Sequence, residues 1–102
     1  MEIYNSKFLI DNSEYYQIEV KLPKTTLLIV GNDVGFIMCG ALNVEIYDSL
    51  KLIDRKVVCA NVLGVKTIDD LMNGYINSST KEAINKGIIK GMSVREAITR
   101  LI

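Results

Sequence analysis

With 102 residues the chain has room for one domain, and its 12 basic and 12 acidic residues give a formal net charge of zero. That balance excludes the long-range field that draws proteins onto nucleic acid or an anionic membrane. The longest apolar run, residues 34–42, contains two glycines and falls far short of the roughly 20 residues that span a bilayer.

A domain of this size buries about 65% of the surface its unfolded chain exposes, enough for a real core. The mean hydropathy of +0.22 is high for a small soluble monomer. It points to apolar surface hidden against something other than the chain itself. The N-terminus, MEIYNSKFLI, carries Glu2 and no cleavable signal pattern, so the expected location is the cytoplasm. Cys39 and Cys59 both lie in apolar runs, where free thiols behave as small hydrophobes. Two such cysteines are not a disulfide framework, and without histidine there is no Cys/His zinc site. No metal and no cofactor is expected.

In chain order, residues 3–10 read as a first strand, ending at the turn-like Asp11-Asn12-Ser13-Glu14. The cleanest alternation follows. Tyr16, Ile18, Val20 and Leu22 point one way and Gln17, Glu19 and Lys21 the other, as in a half-buried strand with a wet face. Pro23 cannot donate to a ladder, so the strand ends, bulges or lies at an edge there. Residues 27–30 and 36–42 then flank Gly31-Asn32-Asp33-Val34-Gly35, the pattern of a hairpin. Neither arm alternates, so both read as strands covered on two faces.

Asn43 is placed to cap a helix, with Glu45 in its first turn and Val44, Tyr47 and Leu50 at helical spacing through about Asp54. Residues 57–63 have the length and β-branched content of a strand, interrupted by Asn61 and ended by Gly64. Three helix starts follow, at Thr67, Ser79 and Ser93. Each places a hydroxyl three residues before an acid (Asp70, Glu82, Glu96), the spacing that reciprocal capping needs. STKEAINK and SVREAITR align with each other, and Gly87 and Gly91 between them suit left-handed helix ends. Two short helices joined by a tight turn are the expected product. A DNA-reading pair is disfavoured, because the last helix has only Arg95 and Arg100 as basic residues.

These elements predict an α+β fold: a two-layer sandwich with a mostly antiparallel sheet of about five strands and three to four short helices on one face. The single domain, 1–102, divides into an N-terminal β region of about 1–42 and an α/β and helical remainder, 43–102. The helices cover one face of the sheet. The other face calls for a partner, and a second copy of the same sheet is the simplest to encode.

The order of three segments, VKLPKTTLLIVGNDVGFIMCGALNV, VLGVKTIDDLMN and GIIKGMSVREAI, resembles the YunC-like family of small bacterial and archaeal domains, a domain of unknown function. The likeness covers about residues 18–102. It implies a two-layer α/β fold and an N-terminal β region used for tetramerisation, and it carries over no catalytic assignment. Lys21-Leu22-Pro23-Lys24-Thr25 places the proline break inside the family pattern.

Few residues invite chemistry. Cys39, before Gly40-Ala41 and a helix start at Asn43, has the strand–turn–helix setting that nucleophiles use. No histidine is available as base, and Phe36-Ile37-Met38 would desolvate the thiol, so a packed core cysteine is the favoured alternative. Gly64, Lys66 and Thr67 form a strand-to-helix loop of the kind that holds phosphates. Asp69 and Asp70 in the first turn would repel an anion, and self-capping is the plainer use of the same residues. Asp33 with Asp69 and Asp70 is the one carboxylate cluster to nominate, for a hard cation or for acid–base work, and the two adjacent acids project about 100° apart on a helix, so at most one faces a common site. Turn chemistry already explains Asp33. Tyr15 and Tyr16, with Ile18 and Val20, form the expected oligomer interface, core aromatics being the alternative. Two functions stay open: a homo-oligomeric binding or accessory domain, which is favoured, and a small enzyme with a site around Cys39 or Asp33/Thr67/Asp69.

Overall fold

The computed structural model describes residues 2–41 and 43–102. The fold is α+β, a six-stranded mixed sheet with three short helices. The strands are β1 (Glu2–Ile10), β2 (Ser13–Leu22), β3 (Thr25–Gly31), β4 (Phe36–Cys39), β5 (Cys59–Val62) and β6 (Ser78–Ser79). They lie side by side in sequence order, every neighbouring pair antiparallel except β4–β5, which is parallel. The sheet is mostly antiparallel, as expected, with the two-residue β6 a sixth strand beyond the expected five and one parallel step. A parallel pair needs a crossover, and residues 40–58 supply it.

Turn chemistry sets the meander. Asp11 and Asn12, at φ 50° and 68°, make a two-residue loop whose left-handed residues match strand twist, so Ser13 and Glu14 already belong to β2. Pro23 and Lys24 turn β2 into β3. Proline sets the first position, and Lys24 sits at φ 65° in the second. The β3–β4 turn is tighter. A Cβ on Gly31 would lie 2.3 Å from the Gly35 carbonyl oxygen, and one on Gly35 would lie 2.3 Å from that of Val58. Here glycine answers a close approach of backbones. β4 stops at Cys39: the expected extension is corrected at Gly40 and Ala41, which form a turn, and Leu42 lies outside the described residues.

The stretch from Asn43 is not an α-helix. Asn43 does cap locally, its side-chain oxygen accepting the Glu45 N–H at 2.9 Å, but two 3-10 turns follow, Glu45–Asp48 and Ile53–Arg55. The segment is rich in β-branched, Asn, Asp and Ser residues, all weak helix formers. Its expected stripe does not close either, since Leu50 is 95% exposed.

The helices are α1 (Ile68–Met72), α2 (Lys81–Asn85) and α3 (Val94–Ile98). Thr67 and Ser93 cap α1 and α3 through the N–H groups of Asp70 and Glu96. The cap of α2 is Thr80, one residue later than expected, because Ser79 is paired with Ala60 in the sheet. Buried Thr80 also ties α2 to β5: its hydroxyl donates to the Val57 carbonyl at 2.7 Å and accepts the Cys59 N–H at 3.2 Å. Gly87 and Gly91 both lie at φ 88°. The link between α2 and α3 is not a tight turn. It buries Ile88 and bonds back to Ile76, the Gly91 N–H to the Ile76 carbonyl and the Ile76 N–H to the Met92 carbonyl.

The pairing register defines two faces. On the helix side lie Tyr15, Leu28, Val30, Ile37, Cys39, Ala60 and Val62, in one core with Leu71, Ala83, Val94, Ala97, Ile98 and Leu101. On the other side a smaller cluster, Met38 and Cys59 with Val44, is flanked by Ile29, Phe36, Tyr47 and Val57. Thus β4 and β5 are covered on both faces by this chain alone, the second time by the crossover segment. The expectation that a partner must cover the whole second face is corrected there.

Candidate functional site

Near the β1–β2 turn Phe8, Ile10 and Tyr15 face the core, but over residues 2–6 of β1 and 17–22 of β2 the polarity of the two faces is reversed. The helix-side face, which is apolar from β3 to β5, carries Tyr4, Ser6, Gln17 and Glu19. The opposite face carries Ile3, Leu9, Tyr16, Ile18, Val20 and Leu22, with Ile3 59% and Leu9 66% exposed. Tyr15 does not join Tyr16, Ile18 and Val20. Neighbouring residues in a strand point to opposite faces, so Tyr15 is buried on the helix side, its ring stacked 5.7 Å from that of Phe8. Tyr16 is half-buried, and its phenol is pushed above the usual value by that burial and, secondarily, by the Asp33 carboxylate.

The helix layer reaches only as far as the start of α1. Between that start and the polar face of β1–β2 lies a cleft of about 490 Å³ lined by Tyr4, Ser6, Gln17, Glu19, Thr67 and Asp69 among others. Thr67 and Asp69, nominated from sequence, do meet here. The hydroxyl of Thr67 is committed to the Asp70 N–H at 3.0 Å. Asp70 in turn accepts the Lys66 N–H at 3.1 Å. Of the adjacent acids, Asp70 therefore serves the backbone while Asp69 faces the cleft. Asp69 and Glu19 have no ion-pair partner among the described residues.

The other nominated residues lie elsewhere. Asp33 sits at the tip of the β3–β4 turn and lines a separate cleft with Lys7, Glu14 and Tyr16, so Asp33 and Asp69 do not share one. That turn is held by Asn32, whose side chain accepts the Val34 N–H at 2.9 Å and donates to the Leu101 carbonyl at 2.8 Å. Cys39 is buried in the main core. Its sulfur accepts the Leu28 N–H at 3.4 Å and faces the Thr26 carbonyl at 3.8 Å. Because a 3-10 turn replaces the expected helix, no α-helix start lies beside the thiol. Gly64, at φ 75°, ends the strand with open space around it, and Lys66 lines a shallow cleft with Lys24, Thr25 and Thr26. Among the described residues no three His, Cys, Asp or Glu side chains gather as a metal site would require.

Sequence reasoning missed Tyr4, Ser6, Gln17 and Glu19 as cleft residues. Their signal was present in the alternation of β2, where Gln17 and Glu19 read as an ordinary wet face. Only the register shows that this face continues the core side of β3.

The family profile described as "Domain of unknown function (DUF1805)" matches residues 38–101. The chain is 42% identical over 94 residues to the uncharacterised protein YunC of Bacillus subtilis, a match covering 92% of each chain. It is also similar to the crystal structure of a protein of unknown function from Thermoplasma acidophilum. There the TM-score is 0.87 at 27% identity, over 99% of this chain and 94% of that one.

Proposed function

The chain belongs to the YunC-like family of domains of unknown function (DUF1805), and from that premise we propose that it is a homo-oligomeric binding or accessory domain of the cytoplasm, assembled through the β1–β3 side of its sheet. The reversed polarity of β1–β2 carries this reading. A hairpin that only had to close over its own helices would turn Ile3, Ile18, Val20 and Leu22 toward them. Here those side chains point away, on a face that the crossover segment does not reach. Burying apolar surface is worth roughly 25 cal/mol per Å², and an identical face related by a two-fold axis is self-complementary. The outer edge of the nine-residue β1 is a second surface of this kind, with unpaired backbone groups along its length. Two such isologous contacts in different directions compose a tetramer.

The zero net charge favours self-association over nucleic acid or membrane. No helix among the described residues is long and apolar enough to cross a membrane. Two free, buried thiols suit a reducing compartment. With Cys39 in the core and Asp33 apart from Asp69, no observation favours the enzyme alternative.

Sedimentation velocity tests the assembly. The wild-type chain is expected to run as a dimer or tetramer at micromolar concentration, and Ile18→Asp as a folded monomer. Ile3→Lys, at an exposed position that no core depends on, repeats the test should Ile18→Asp fail to fold. A wild-type monomer at that concentration overturns the proposal.

A further inference from the structure

We propose that β1 is an assembly edge of defined register: it pairs antiparallel with β1 of a second copy about a two-fold axis at Ser6. The pairing rests on the assembly reading above and deepens it, by naming the residues that meet.

The edge is open. β1 has β2 on one side and no strand on the other, and its nine residues include no proline. Every residue from Glu2 to Ile10 has one partner in β2, so no bulge bends the strand away. Of the devices that protect a long edge, only the charges of Glu2 and Lys7 remain, and Lys7 is already paired with Glu14. The two-residue loop Asp11-Asn12 makes Ile10 and Ser13 a hydrogen-bonded pair, and such pairs alternate along an antiparallel ladder. The even-numbered residues of β1 therefore bond to β2. The N–H and C=O groups of Ile3, Asn5, Lys7 and Leu9 point outward, with no ladder partner among the described residues.

The side chains select both the partner and the register. A two-fold axis normal to the sheet brings each residue opposite one on its own face. About Ser6, both faces of β1 read the same in either direction. Ile3, Asn5, Lys7 and Leu9 run apolar, polar, polar, apolar on the outer face. Tyr4, Ser6 and Phe8 run aromatic, small, aromatic on the helix side. Pairing about Ser6 thus sets Ile3 against the partner's Leu9, Tyr4 against the partner's Phe8 and Asn5 against the partner's Lys7, and it engages the whole strand. An axis at Asn5 would set Ile3 against the partner's Lys7 and Glu2 against the partner's Phe8. An axis at Lys7 would set two lysines opposite each other, which is destabilising. Because Tyr4 and Ser6 line the cleft beside α1, the partner's Phe8 and the partner's Ser6 extend its wall.

A lone edge contact is small. Two of them act together when they join two pairs of chains already held through the Ile18 and Val20 face. A chain that loses that face, as in Ile18→Asp, therefore loses the edge contact as well.

Disulfide trapping of the full chain, with diamide as oxidant, tests the register, since Cys39 and Cys59 are both buried. Across the axis the two Ser6 positions form a non-hydrogen-bonded pair with Cα atoms roughly 4.5 Å apart, inside the span of about 4.4–6.8 Å that a disulfide bridges. Ser6→Cys should cross-link into a covalent dimer. Asn5→Cys and Lys7→Cys, each about 7–8 Å from its own copy, should cross-link several-fold less. Asn5→Pro removes an outward N–H and leaves the ladder to β2 whole. By sedimentation velocity the wild type should run as a tetramer and Asn5→Pro as a folded dimer. Should Asn5→Pro fail to fold, the cross-links decide alone. Cross-linking at Asn5→Cys in preference to Ser6→Cys overturns the register. No cross-link in an assembled protein, or a tetramer that survives Asn5→Pro, overturns the edge pairing and leaves the face contact standing. A monomeric wild type removes the assembly reading itself.

Discussion

All four residues of β5 are buried, whereas none of the nine in β1, at the far end of the same sheet, is. β5 lies between two apolar clusters, with Ala60 and Val62 against the helices and Cys59 under the crossover segment. β1 touches the core only through the half-buried Phe8 and Ile10 at its end, and otherwise has its ladder to β2 and the exposed ion pair of Lys7 with Glu14. An exposed ion pair of that kind contributes little. One end of the sheet is stabilised by burial, and at the other residues 2–7 of β1 are exposed. The matched family profile begins at Met38, inside β4, and so takes in the buried end without β1–β3.

The largest effect expected from this contrast is at Leu28, fully buried on the helix side. Leu28→Ala should cost about 2–5 kcal/mol in urea unfolding, through lost transfer energy and the cavity left behind. Ile3→Ala, at the other end, should change a monomer's stability by less than about 0.5 kcal/mol. A larger, concentration-dependent loss for Ile3→Ala would instead register the interface. Equal losses at the two sites in a monomeric background would erase the distinction between the two ends.

Cys59 provides a second, pH-dependent measure of how well the β4–β5 end is sealed. Burial, and then the nearby Asp48 carboxylate, push its thiol up to about 12 from an ordinary value of 9.0. The folded state keeps a proton that the unfolded state releases. The stabilisation is therefore fully present below pH 9 and is lost as pH rises from 9 toward 12, at a slope of up to about 1.4 kcal/mol per pH unit. Denaturation midpoints measured across that range should flatten in Cys59→Ala relative to wild type. The same slope in both proteins would mean that other groups carry the alkaline loss.

The smallest effect is in the meander. Lys24 holds φ 65°, where a side chain costs about 1–2 kcal/mol, part of which glycine returns as unfolded-chain entropy. Lys24→Gly should thus raise the thermal midpoint slightly, by the equivalent of about 0.5 kcal/mol, without altering assembly. A destabilised Lys24→Gly would show that the turn is held by contacts of the lysine itself.

Local chemistry makes much of this protein legible in its sequence. Asp11-Asn12 and Pro23 bound the strands of the meander, apolar runs mark β3, β4 and, around Asn61, β5, and Thr67 and Ser93 mark two helix starts. Each of these depends on interactions within a few residues, so the chain alone decides it. Three features depend on neighbours distant in sequence. Residues 43–54 have helical spacing, but of the stripe only Val44 and Tyr47 reach the Met38 and Cys59 cluster while Leu50 stays exposed, and the segment folds as 3-10 turns. Ser79 and Thr80 are equivalent caps by type, and only the pairing of Ser79 with Ala60 passes the cap to Thr80. The alternation of β2 separates Gln17 and Glu19 from Ile18 and Val20, but not which set faces the helices. That choice belongs to the register of β2 on β3. It puts the wet strand face on the helix side and the apolar one away from it, which the strand alone leaves open because a period of two is blind to what lies above and below the sheet.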